Sequence, residues 1–139
     1  MTVSEEYISA NIVNTDDLDD EFVKLEATLL SEFSINHMYE KAKAYLPRVI
    51  LPVVSDLFRW FVSKYAKCNR QFSTVHDTGM NLKCKMELCK RMADGVKSAK
   101  SRCPGDNKEQ CVKAVEKEYA KWNKRYESFK SRYNKYSVN

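Results

Sequence analysis

The stretch from Asp106 to Asn139 constrains the fold more than any other part of this chain. Its bulky residues fall at Cys111, Val115, Tyr119, Trp122, Tyr126, Phe129, Tyr133 and Tyr136, spaced 4, 4, 3, 4, 3, 4 and 3. Steps of three and four keep side chains on one face of an α-helix, whereas a strand would use every second residue. Nearly everything between them is Lys, Arg, Glu, Asn or Ser. Pro104-Gly105 breaks the chain just before, Asp106 is suited to cap a helix, and Glu109 stands three residues on, as a capping box requires. The spacing predicts a long terminal helix with an aromatic seam and a basic outer face. Such a seam must be covered by other helices or by a partner.

The upstream chain can supply those helices. Leu18, Phe22, Leu25, Leu29 and Phe33 mark an amphipathic helix over about 17–33, with Asp16 and Asp17 at its start. Ser34 can cap a second, shorter helix, which Pro47 ends. From Val49 to Cys68 the chain is apolar almost all round, so this helix is expected at the centre of the bundle, with Pro52 tolerated in its first turn. Any aromatic surface left over on it would form an oligomer interface. Asn69 to Gly79 reads as a polar linker, and Met80 to Cys103 as a helix with two apolar faces, whose Gly95 either allows close approach of a neighbour or is simply tolerated at a cost of about 1 kcal/mol relative to Ala. The expectation is one all-α domain of four to five helices, with residues 1–15, which carry Tyr7, Ile8 and Ile12, as a short arm. Three Gly and three Pro in 139 residues are too few for the turns of a sandwich or barrel. No apolar run approaches the roughly 20 residues that span a bilayer.

Charge is distributed unevenly. Residues 1–33 carry a net −8, residues 34–82 a net +4 and residues 83–139 a net +9. The acidic head and basic tail can dock on each other or face separate partners. Aromatic residues in register with one another, with the cations off that line, belong to packing rather than to base stacking. The basic face would still suit a polyanion of the heparan type or an acidic receptor surface.

All five cysteines lie from the middle of the chain onward, at Cys68, Cys84, Cys89, Cys103 and Cys111. None forms the C-x2-C knuckle of a structural zinc site, so no metal is expected. Cys103 and Cys111 bracket the Pro-Gly turn, where a bridge would staple two helices. Two disulfides among the five and one free thiol would then place the protein in an oxidising compartment; five reduced thiols in the cytoplasm is the alternative. The opening MTVSEEYISA has no basic region followed by an apolar core, so either the chain is intracellular or a leader has been removed.

No phosphate-cradling glycine loop, H-E-x-x-H or calcium-loop spacing occurs, and His37 and His76 have no carboxylate arrangement suggesting a base with its orienter. Cys89 would be a nucleophile only in an electropositive, partly open site, and a cysteine on an apolar face is more often core or bridge. The chain is read as a non-enzyme without a cofactor.

Leu57-Phe58-Arg59-Trp60-Phe61-Val62 resembles the buried central helix of the class II helical cytokines, the interleukin-10 and interferon-gamma relatives. Gly79-Met80-Asn81-Leu82-Lys83, with the cysteine-flanked turn and Lys113-Ala114-Val115-Glu116, resembles their later helices. The chain departs from that group in having no cysteine before Cys68 and no closing acidic-hydrophobic motif. The resemblance implies a secreted helical bundle, often a dimer, that binds a cell-surface receptor; it carries over no individual contact. Contact candidates chosen by charge and expected exposure are Asp16, Asp19, Asp20, Lys117, Lys121, Lys124, Arg125 and Arg132. They would serve two receptor chains through two helix faces, or a twofold dimer through one. A helical module of a parasite or viral surface protein, for which the Trp122 to Phe129 spacing speaks, and an intracellular adaptor are the other readings.

Overall fold

The computed structural model describes residues 18–31 and 34–137. Five α-helices follow in chain order: α1 Asp20–Ser31, α2 Ile35–Ala42, α3 Leu51–Gln71, α4 Thr78–Ala99 and α5 Lys108–Ser137, with no strand among the described residues. Each start has a local cause. Asp19 caps α1, its carboxylate accepting from the Phe22 N–H at 2.9 Å. Ser34 caps α2 through the His37 N–H. Pro52 sits in the first turn of α3, where its missing N–H costs nothing. The chain enters α5 through a 3-10 turn at Gly105–Asn107, so Asp106 lies inside that turn rather than at the expected cap position.

The α3, α4 and α5 helices run antiparallel in sequence. Leu57 meets Gly95, Arg91 lies over Trp60, and Cys68 bridges Cys84. On the other side Cys103 bridges Cys111, Lys97 lies over Tyr119 and Lys90 over Tyr126. The Cα atoms of the two bridged pairs are 6.0 and 5.7 Å apart. The bridge across the Pro-Gly turn is the one expected; Cys89 stays unbridged in the core. Gly95 does admit close approach: a Cβ there would lie 2.5 Å from a Leu57 methyl carbon.

The expected linker at Asn69–Gly79 is largely helical. Helix α3 continues to Gln71, a 3-10 turn covers Val75–Asp77, and α4 begins at Thr78. Within this stretch Thr78 Oγ1 donates to the Val75 carbonyl at 2.6 Å, and Asn81 Nδ2, just beyond it in α4, donates to the Phe72 carbonyl at 2.8 Å.

The core is aromatic at its middle. Phe22 of α1 meets Tyr65, Trp122 and Phe129 edge to face, with ring centres about 6 Å apart, and Phe61 lies 4.8 Å from Trp122. Of the expected α5 seam, Cys111, Val115, Trp122 and Phe129 are buried, and Tyr119, Tyr126 and Tyr133 are half-buried along its edge. Tyr136 at the end is 47% exposed. Helix α3 buries one face through Val54, Phe58, Phe61, Val62 and Tyr65, but Asp56, Arg59, Lys64 and Lys67 are exposed, so it is amphipathic rather than enclosed. The aromatic surface on which a twofold pairing was expected is reduced, because Arg91 covers Trp60 at 4.7 Å. No helix among the described residues is long and apolar enough to cross a membrane.

Candidate functional site

The bases and acids chosen as surface contacts do not all reach the surface. The buried stripe of α5 runs Cys111, Val115, Glu118, Trp122, Arg125 and Phe129, so a carboxylate and a guanidinium sit in line with the apolar residues. Arg125 is 3% exposed, which corrects its assignment as an outward base. Its Nε and Nη2 donate to the two Asp19 oxygens at 2.9 and 3.0 Å, and Nη2 also reaches Glu21 at 3.2 Å. The guanidinium lies over Trp122 at 4.5 Å and over Phe22 at 5.0 Å. Burial would raise the Asp19 carboxyl, but the Arg125 hydrogen bonds and charge, with the Phe22 N–H, outweigh it and hold the carboxyl below its ordinary value. Asp19 therefore does two jobs: it caps α1 and clamps that helix to α5.

Glu118 extends this network. It is 1% exposed, accepts from Trp122 Nε1 at 3.1 Å, and has Lys121 Nζ at 3.4 Å, the same distance that Lys121 keeps from Glu21. Burial pushes the Glu118 carboxyl up, against the pull of Lys121 and Arg125.

A second buried centre joins α1 to α3 and α4. Glu26 accepts from the Tyr65 hydroxyl and from Lys85 Nζ at 3.5 Å, and the Lys85 ammonium stands 4.9 Å from the Tyr65 ring centre. Burial lowers the Lys85 ammonium while Glu26 resists, and burial raises the Tyr65 hydroxyl, with the Glu26 charge adding to it. Cys89 is fully buried and its thiol is pushed well up by that burial, the opposite of what a reactive thiolate requires. Together with the buried Phe22, Leu25 and Leu29, the two centres attach α1 to the α3, α4 and α5 helices.

The remaining candidates separate by exposure. Asp16 lies outside the described residues. Asp20, Lys117 and Lys124 are exposed, and Lys121 is half-exposed within its ion pairs. Arg132 is half-buried, with its guanidinium 5.8 Å from the Phe129 ring and Nη2 enclosed without a hydrogen-bond partner, so it too is not the outward base expected. A signal for these positions does exist in the sequence. Cys111, Glu118, Arg125 and Arg132 recur every seven residues beside the seam, and the acids that Arg125 pairs with stand at and just before the start of α1.

With α1 held this way, its outer side presents Val23 and Leu30, 37% and 45% exposed, with Ala27 exposed between them at steps of four and three. Charged Asp20 and Lys24 flank this row on α1. Lys117, Lys121 and Lys124 form one face of α5, the helix to which α1 is clamped. Among the described residues no group of three or more His, Cys, Asp or Glu is placed to hold a metal ion. The arrangement can bury an apolar strip against another surface while charges at its border align the two.

Comparison with protein families, characterised proteins and solved structures finds no match to this chain.

Proposed function

We propose that this chain is a secreted, non-catalytic helical ligand that docks on a cell-surface receptor protein through the outer face of α1, with Lys117 and Lys124 of α5 at the border. The observation that carries this reading is the Val23–Ala27–Leu30 row, which the bundle leaves uncovered although four other α1 residues are buried. An apolar strip rimmed by charge has the anatomy of a binding surface: a few desolvated anchors hold the partner, and the rim sets orientation and encounter rate. The Arg125 and Lys85 centres keep the strip in place before binding, which lowers the cost of ordering it. The two bridges support an oxidising compartment, and the likeness of Leu57–Val62 and Gly79–Lys83 to class II cytokines points the same way.

The test is saturable, protease-sensitive binding of the labelled protein to intact cells, measured across a panel of cell types. V23E/L30E replaces two exposed side chains and should leave folding intact while weakening binding about tenfold or more. K117A/K124A should act mainly on the association rate and its salt dependence. Equal binding by V23E/L30E and wild type, or no saturable binding on any cell, would overturn the reading.

A further inference from the structure

The face of the bundle formed by α3, α4 and α5 carries a second set of cations that the receptor reading does not use. On the α5-facing edge of α4, Lys83, Lys90 and Lys97 recur every seven residues and all are exposed. Helical rise puts successive members about 10 Å apart in a nearly straight line. Two of them are held by rings of α5: Lys97 Nζ is 5.3 Å from the Tyr119 ring centre and Lys90 Nζ 5.4 Å from that of Tyr126. Lys130 approaches Tyr126 from the α5 side at 5.8 Å. The antiparallel register of those two pairs sets Lys83 opposite Tyr133 in turn. On the other edge of α4 a cleft of about 170 Å³ opens over the Cys68–Cys84 bridge, with Lys64, Lys67 and Arg91 among its lining residues and Glu87 beside them. Acids interleave this line: exposed Glu87 and Asp94 stand between its lysines at steps of four and three. Asp94 lies 3.5 Å from Lys90, and Glu116 takes up Lys100 at 2.7 Å. With Lys64, Lys67, Arg91 and Lys130 included, the cations of the face outnumber the acids.

We infer that this face is a binding site for a linear sulfated polysaccharide, lying along the Lys83–Lys90–Lys97 line with one sulfate seated in the cleft over the bridge. Three features select that chemistry. Regularly spaced ammonium groups match a chain of point anions, whereas planar bidentate recognition would call for arginine. The Tyr119 and Tyr126 rings are half-buried and lie beneath ammonium groups, so no open platform remains on which a nucleic-acid base could stack. The choice of a sulfated rather than a phosphorylated polymer rests on the extracellular reading above, since sulfated polysaccharides are the abundant linear polyanions outside cells. The site is separate from the α1 strip, so one molecule could hold both partners at once.

The experiment measures binding of size-defined heparin fragments to the whole bridged protein over a range of salt concentrations. K83Q/K90Q/K97Q keeps stem length over the rings and removes three charges. Its affinity should fall about tenfold near physiological salt, and the slope of log affinity against log salt should flatten by about two, by analogy with release of counterions from nucleic acids. The cleft variant K64Q/K67Q should show a smaller loss, and K117A/K124A none. Failure of wild type to bind heparin would overturn the inference. So would unchanged binding by the triple variant, or equally tight binding of a single-stranded homopolymeric RNA through the same lysines. The assay uses purified protein and no receptor, so its failure is distinct from failure of the receptor reading. On cells, heparinase treatment should abolish the part of binding that the triple variant lacks and leave the part that V23E/L30E lacks.

Discussion

Helix α1 and the α4–α5 pair are attached to the bundle by different physics. The pair is closed covalently at its turn by Cys103–Cys111, α4 is joined to α3 by Cys68–Cys84, and its shared surface is mostly apolar, with Leu82, Cys89, Met92, Ala93 and Val96 of α4 and Val115, Trp122 and Phe129 of α5 buried. Helix α1 has no bridge. It buries Leu25 and Leu29 beside Phe22 in the core, and adds buried and half-buried ion pairs to that stripe, through Asp19 and Glu21 on Arg125 and Glu26 on Lys85. Burying ions is costly, so such pairs add little net stability; their use here is to reject the wrong rotation of α1, in which unpaired charges would be enclosed. Packing of the α1 stripe holds the helix and favours one rotation, and the ions sharpen that rotation. That division is itself a hypothesis, and variants in the two regions test it.

The largest effect is expected at Trp122, where both kinds of attachment meet. W122A empties a fully buried ring site, takes away the donor that Glu118 accepts from, and removes the surface on which Arg125 lies. Chemical denaturation should show a loss of about 3–5 kcal/mol, the range for a large aromatic deleted from a core. The next effect is expected from K85M. It strands the Glu26 carboxylate with only the Tyr65 hydroxyl, and breaking one side of a buried pair costs about 3–5 kcal/mol. The diagnostic partner is E26L/K85M/Y65F, in which no polar group is left over. If charge contributes orientation rather than stability, that triple variant should return to within about 1 kcal/mol of wild type. It should nonetheless bind cells less well than wild type, because α1 has lost its rotational lock. A triple variant as unstable as K85M would mean that the ions hold the fold directly.

The helices were legible because apolar spacing speaks for itself over a dozen residues or more. The α5 seam, the α1 stripe through Leu18, Phe22, Leu25 and Leu29, and the Ser34 cap are all local patterns. Phe33 of that stripe lies outside the described residues. The bridge across the Pro-Gly turn was legible too, since a short loop between two helices leaves few alternatives. What local pattern could not give was the partner of a charge. Arg125 reads as surface because its neighbours in sequence are Lys124 and Tyr126, yet its carboxylate stands 106 residues away on α1. The same limit hid Lys85 and Glu26, separated by 59 residues. The polar stretch after Asn69 misled for a related reason: backbone carbonyls there are taken up by side chains of a tight crossing, Val75 by Thr78 and Phe72 by Asn81 of α4, instead of by water around a loop. The candidate surface was the least legible part, because Val23 and Leu30 adjoin the α1 stripe in sequence as apolar residues, and whether a neighbouring helix covers them is set by packing that local spacing does not give.

A smaller effect separates two carboxylates of one network by the sign of their pH dependence. Asp19 is held below its ordinary value, so its folded form binds protons less readily than its unfolded form. Its contribution is fully present above the unfolded value of about 3.9 and is lost as pH falls through the lowered folded value. Glu118 is shifted upward, so its contribution is full below the ordinary carboxylate value and is lost as pH rises through the raised folded one. D19N keeps a good cap on α1 but removes the charge and one of the two oxygens that accept from Arg125, so it should cost about 1 kcal/mol near neutral pH. Unfolding followed from about pH 2 to 7 should show the difference between wild type and D19N closing toward the acid end. E118Q should show the reverse: its disadvantage relative to wild type is greatest in acid and shrinks as pH rises past the Glu118 titration. Parallel curves for both variants would mean that neither carboxyl binds protons differently in the folded and unfolded chain, which would overturn both shifts. Opposite slopes would place the clamp on α1 in Asp19 and leave Glu118 as a buried acceptor for the Trp122 N–H.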